Sequence, residues 1–206
     1  QNNYELITLC FNNVSEEELN KLSKYGSSMV ITTNPIDKVD SISMSKMISD
    51  LTTQHDIKLF IFSSTYSSKM FAPRLSVKLN SSIFTNVVEL PSSLYPLKVK
   101  KKVFSSKAFE IAKSVSEKNI IMLHPNSYGV KEFSFDLQSS EFTTESKSEI
   151  EIINTEKSSG KVNLSEADIV VSAGRGMKGP ENWELIEDLA NSLNAATACS
   201  KPVSDI

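Results

Sequence analysis

Cysteine is nearly absent from this chain. Cys10 and Cys199 are the only two in 206 residues, with no Cys-x-x-Cys pair and no metal-type spacing. That usage gives no support to a disulfide framework or a zinc site and fits a reducing compartment. Long apolar runs are missing as well. None approaches the ~20 residues that a membrane span needs, so no membrane insertion is expected. Nor is there a basic excess: the net charge is -3, and without a basic face no nucleic-acid partner is expected. The two histidines, His55 and His124, have no carboxylate or cysteine partner at useful spacing and read as surface or loop-end groups. No Ser/His/Asp or Cys/His set and no paired carboxylates suggest hydrolysis. Gln1-Asn2-Asn3 has neither a charged n-region nor an apolar h-region, so no signal peptide is visible, and there is no initiator Met. The expectation is a fragment or a processed form.

What is present is an ordinary globular composition, 39% hydrophobic and 23% charged, long enough for one large domain or two modest ones. Short apolar runs rich in β-branched residues predict strands at 4–9, 29–33, 59–62, 120–123 and 169–171. Helical patterns lie between them. Ser15 and Glu18 form a Ser-x-x-Glu capping box ahead of Leu19 and Leu22. Met44, Met47, Ile48 and Leu51 share one face over 43–51, and Phe71, Leu75 and Leu79 share another over 71–79. Strands alternating with helices imply parallel βαβ units and an α/β class. Residues 97–104 and 108–115 instead read as an antiparallel hairpin joined at Ser105-Ser106. Its lysines, at 98, 100, 101 and 102, read as a solvated strand face that guards an exposed edge. Beyond Phe135 the composition turns to Ser, Thr, Glu and Lys, with Ile150, Ile152 and Ile153 as a further candidate strand. Ser158-Ser159-Gly160 marks a hinge, which puts a scaffold domain at 1–160 and a second domain from 161 to 206.

The last forty or so residues carry the chemistry. Asp168–Ser172 reads as a buried-type strand running into Ala173-Gly174-Arg175-Gly176-Met177-Lys178. A helix follows, with Trp183, Ile186, Leu189, Ala190 and Leu193 on one side and Pro180 and Glu181 near its first turn. A glycine turn between a parallel strand and a helix presents bare backbone N–H groups at the carboxyl edge of a sheet, where anions bind. Arg175, between Gly174 and Gly176, adds a forked cation suited to phosphate or a flavin carbonyl. The full dinucleotide fingerprint is absent, since its third glycine and downstream acid are missing. A second apolar strand, Ala195–Ala198, ends in Cys199-Ser200-Lys201-Pro202-Val203-Ser204-Asp205. In a parallel sheet its loop would lie beside the glycine turn, so Arg175, Ser200 and Lys201 would converge on one crevice. Cys199 reads as a small packing residue at a strand end.

Residues 164–190, running on to Cys199–Asp205, closely resemble the α-subunit signature of electron transfer flavoproteins. In that family a strand, a Gly-Arg-Gly turn, a helix carrying Glu-Asn and a Ser-Arg pair ahead of an Asp open the flavin domain. Lys69–Leu79 resembles the family's Ala-Pro-Arg-Leu helix, and Val103–Ala108 its Tyr-Gly-Gly-Lys-Ala segment. The resemblance implies a nucleotide-binding-like α/β domain with a mainly parallel sheet and an antiparallel hairpin, then the start of a doubly wound flavin-binding domain. It implies an electron carrier rather than a substrate-converting enzyme: one FAD, a β subunit as partner, acyl-CoA dehydrogenases or related flavoenzymes as donors, and a membrane quinone oxidoreductase or another acceptor. It implies the cytoplasm in a bacterium and the mitochondrial matrix in a eukaryote. Bifurcating and nitrogen-fixation-type variants remain open.

By motif position, Arg175 and Ser200, with the flanking Gly174 and Gly176, match family FAD contacts. Lys201 matches an arginine beside the isoalloxazine ring, where a fixed positive charge favours the reduced, anionic flavin and raises its potential. Lysine keeps the charge and loses the planar fork. Ser105-Ser106 stands where the family has Gly-Gly, and Ser68-Lys69 where it has Gly-Arg. Arg74 is expected to anchor a helix or meet the partner subunit. The family's Gly-Gln-Thr-Gly loop, Ser-Gly-x-x-Gln-His loop and later Asn-x-Asp do not occur before Ile206, and a further strand and helix would precede Tyr4. The expectation is a chain cut at both ends that does not retain FAD alone. The rival reading, an AMP- or ATP-binding regulatory α/β module over 1–160 without redox activity, rests on the α/β pattern. It lacks a glycine-rich turn after any N-terminal strand.

Overall fold

The computed structural model describes residues 5–11, 14–33, 35–36, 40–143, 148, 150–154, 164 and 167–204. It divides into two compact units, Gln1–Glu151 and Ile152–Ile206. The hinge expected at Ser158-Ser159-Gly160, and with it the expected boundary at residue 160, lies outside the described residues.

The first unit opens with β1 (Ile7–Cys10), α1 (Glu16–Ser23), β2 (Met29–Thr33), α2 (Ser41–Leu51), β3 (Leu59–Ser63), α3 (Tyr66–Leu79) and β4 (Ser82–Val87). It continues through β5 (Ser93–Leu94), β6 (Leu97–Val103), β7 (Ala108–Lys113), β8 (Asn119–Leu123) and β9 (Gln138–Phe142). Parallel strands β1-β2-β9 make a three-stranded sheet, and a six-stranded sheet has the order β3-β8-β4-β6-β5 with β7 paired to β6. In the second sheet β3, β8 and β4 are parallel, and β5, β6 and β7 run antiparallel. The α/β class and the hairpin thus stand as expected, with the parallel strands shared between two sheets.

Local chemistry sets the helix starts. Ser15 and Glu18 form the expected capping box of α1, satisfying two leading amides reciprocally. Thr65 Oγ1 accepts from the Ser68 amide at the head of α3, and Asn80, in a left-handed conformation, closes that helix. Asp40 caps α2 while fully buried: its carboxylate accepts the Ser43 amide at 3.0 Å and the Ser148 hydroxyl at 2.5 Å. Burial opposes its charge, but the hydrogen bonds from Ser148 and from Ser43 and Ile42 outweigh that and hold its carboxyl below the usual range.

The apolar faces read from the sequence build the core. Met44, Met47, Ile48 and Leu51 of α2 and Phe71, Ala72 and Leu75 of α3 pack with Ile31, Phe60, Ile120, Met122 and Phe142. Strand β8 is buried on both faces: Ile120 and Met122 point into this cluster, and Ile121 into a second one with Phe84, Val87, Leu97 and Val99. A central strand covered on both sides reads as a continuous apolar run, which is why the sequence shows it clearly.

Three elements depart from expectation. Strand β4 was not anticipated: its register shifts between Phe84 and Val87, where Asn86 takes a positive φ of 57°, and this bulge breaks the period-two alternation. Strand β9 was not anticipated either, because Gln138 to Glu141 are polar and exposed and only Phe142 is buried. Ile150, Ile152 and Ile153 form no strand; all three are exposed and take no regular structure.

Candidate functional site

The second unit contains β10 (Val170–Ala173), α4 (Glu184–Ser192), β11 (Ala196–Cys199) and the short α5 (Lys201–Ser204). Strands β10 and β11 are parallel, in a register that sets Ala173 beside Cys199. Both loops therefore leave from the same carboxyl edge. The Ser200 amide continues the ladder by donating to the Ala173 carbonyl at 3.2 Å. A Cβ built on Gly174 would come 3.9 Å from Ser200 Oγ, so the serine hydroxyl lies against the glycine backbone. The sheet thus brings Gly174 and Ser200 together, with Arg175 and Lys201 each one residue further along its loop. The strand expected to be buried is instead partly open: Ile169 and Val170 are about half-exposed. One paired strand and one helix cover only part of it.

Beyond Gly174 the chain makes two successive tight turns of 3-10 type, Arg175–Met177 and Pro180–Asn182, before α4 begins. The Met177 amide donates to Gly174 and the Lys178 amide to Arg175, closing the first turn. Lys178 then takes a left-handed φ of 68°. The Asn182 side chain reaches back to the Met177 carbonyl at 2.7 Å and ties the two turns together. Residues Lys178 and Asn182 were missed as site-shaping residues; the Glu-Asn pair ahead of the helix was the available signal. Pro180 and Glu181 fall in the second turn, just ahead of α4 rather than inside it.

Arg175, Gly176, Ser200 and Lys201 are all exposed, and neither cation forms an ion pair among the described residues. A Cβ at Gly176 would meet nothing within 4 Å, so the turn is open on that side. Ser200 precedes α5, its carbonyl accepting from the Val203 and Ser204 amides. Asp205 of the motif lies outside the described residues. The edge of this two-stranded sheet accordingly offers a guanidinium, an ammonium, a hydroxyl and glycine backbone within one pair of neighbouring loops. Groups of this kind are chemically suited to an anionic, oxygen-rich ligand.

Other residues weighed in the sequence lie elsewhere. Cys199 ends β11 and is exposed. His124 Nδ1 lies 2.8 Å from the Pro125 carbonyl and its amide donates to Val87, a loop-end role. Arg74 is exposed on α3, close to the buried Phe71, Ala72 and Leu75 that hold that helix.

In chain order, an α/β domain with an antiparallel hairpin is followed by a glycine turn and a hydroxyl–cation loop on adjacent parallel strands. Residues 5–157 match the family model described as the electron transfer flavoprotein domain, and residues 163–206 match the electron transfer flavoprotein FAD-binding domain. The chain belongs to the electron transfer flavoprotein family, and its relatives make it an α-type member. It is 24% identical over 200 residues to the electron transfer flavoprotein subunit alpha of Bacillus subtilis, covering 90% of this chain and 59% of that protein. Against the subunit alpha of Syntrophomonas wolfei it is 28% identical over 152 residues, 70% of this chain and 47% of that protein. Over 48 residues it is 44% identical to Protein FixB of Azorhizobium caulinodans, 23% of this chain and 13% of that one. The chain thus spans 59% and 47% of the two subunit alpha relatives.

Proposed function

We propose that this chain acts as the α subunit of a heterodimeric electron carrier holding one FAD, with residues 1–160 as scaffold and residues from 161 onward opening the flavin site. The single observation that carries this reading is the register of β10 and β11, which sets Gly174 against Ser200, with Arg175 and Lys201 the next residues beyond each. The residues present suit a dinucleotide. Gly174 and Gly176 leave the backbone bare, the open side at Gly176 admits a ligand, and two cations without an ion pair among the described residues offset phosphate charge. FAD, when bound, supplies the redox chemistry. Arg175 contributes a forked donor for phosphate or a ring carbonyl, and Ser200 a hydroxyl at the same edge. Lys201 contributes a fixed positive charge that favours the more negatively charged redox state and so raises the potential.

In this reading the electron donors are acyl-CoA dehydrogenases or similar flavoenzymes, the acceptor is a respiratory quinone oxidoreductase, and the partner is a β subunit. No helix among the described residues is long and apolar enough to cross a membrane. The test is co-expression of the complete gene with its β partner and a visible spectrum of the purified pair. A flavin spectrum is expected. A pure, colourless heterodimer would overturn the proposal.

A further inference from the structure

The hairpin of the first unit has two unlike faces. Alternation along β6 turns Leu97 and Val99 into the core and Lys98, Lys100 and Lys102 outward. The register sets these lysines opposite Lys113, Ile111 and Phe109 of β7. Lys100 Nζ lies 4.8 Å above the Phe109 ring, which confirms that the two side chains share this face. Ile111 and Phe109 are exposed, at 74% and 58%. Strand β7 pairs with β6 alone among the described strands, so its other edge carries unused backbone donors and acceptors.

This face also stores repulsion. Lys98 stands directly opposite Lys113, and like charges in that position destabilise a strand pair. Among the described residues only Lys100 of the four outward lysines has a carboxylate, Glu89 at 2.6 Å. That pair shows that the face accepts carboxylates at contact distance.

We propose that the outward face and free edge of β7 form a docking site for an extended, acidic segment of a partner protein. The segment adds as a strand to β7, placing carboxylates against Lys98, Lys102 and Lys113 and small apolar side chains on Phe109 and Ile111. The net charge of the whole chain, -3, favours this local, contact-range recognition over nucleic acid, which is drawn by a broad positive field. The hairpin belongs to the first unit, and this proposal does not rest on the proposed flavin loops of the second.

The test uses the complete chain and a synthetic peptide alternating glutamate with valine, followed by amide chemical shifts and titration. Saturable binding with shifts centred on Ala108–Lys113, weakened by salt, is expected. Lys98→Glu replaces a like-charge pair with an opposite-charge one, so the hairpin stays folded while affinity falls about tenfold or more. Lys78→Glu, the same charge change on the exposed end of α3, leaves affinity unchanged. Equal affinity for Lys98→Glu and the parent, or shifts that leave β7 unmoved, would overturn the proposal. So would binding of duplex DNA or phosphatidylserine vesicles with no binding of the peptide.

Discussion

The two units use similar raw material differently. Both carry β-branched strands followed by helices with an apolar side, yet their burial diverges. In the first, α2, α3, β8 and their neighbours seal Met47, Leu75 and Ile120 from solvent entirely. In the second, Ala190 and Ala196 are the only buried apolar residues among those described, while Leu185, Leu189 and Leu193 stay exposed. Apolar periodicity specifies which side of an element prefers cover. Whether cover arrives depends on how many layers surround it. One unit is held by its interior; the other presents loops.

That contrast can be broken most directly by core truncation. Met47→Ala should lower unfolding free energy by about 2–5 kcal/mol, whereas Leu185→Ala should change it by about 0.5 kcal/mol at most. Urea denaturation of both variants measures the difference, and equal effects would erase the distinction. Next in size is Asp40. Removing its carboxylate as Asp40→Ala should cost about 1–3 kcal/mol, because the Ser43 amide loses its cap and the Ser148 hydroxyl one of its two acceptors. Its carboxyl is held below the ordinary range when folded, so the contribution is complete above roughly pH 4 and fades as pH falls through the lower folded value. Asp40→Asn should flatten that acid limb.

For the loop-presenting unit the expected signature is ligand-linked rather than structural. In the proposed flavin-loaded heterodimer, Arg175→Ala should weaken FAD retention about tenfold or more while leaving the unfolding of the first unit unchanged. Flavin release on dilution reads this out, and retention equal to the parent's would argue that Arg175 only shapes a turn. The smallest effect belongs to the hairpin tip. Ser105 and Ser106 have φ values of 52° and 67°, a left-handed region where a Cβ is costly and glycine is not. Replacing either with glycine should stabilise the first unit by about 0.5 kcal/mol, seen as a higher denaturation midpoint.

Legibility followed the same division. Where elements are well buried, the sequence announced them: the α2 and α3 faces follow from helical periodicity, and β2 over 29–33 and β8 from short apolar runs. It failed where the backbone rather than the side chains did the specifying. Asn86 inserts a bulge into β4, and β9 joins β2 through a ladder with almost no apolar residues to mark it. At the candidate site, the strand–turn–helix order and the neighbouring serine–lysine loop were readable. The positive φ of Lys178 and the Asn182 tie to Met177 were not read, although the Glu-Asn pair ahead of the helix was a signal for the second. The Gly-Gly to Ser105-Ser106 departure coincides with a turn whose backbone suits glycine.

Strand β9 has a dynamic consequence. It is fastened to β2 chiefly by main-chain bonds and anchored by Phe142 at one end. Such a strand can peel away at little cost while the sheet beneath it persists, so its amide protons should trade with solvent through a local opening. Those of β8, sandwiched between two apolar clusters, should wait for the whole unit to unfold.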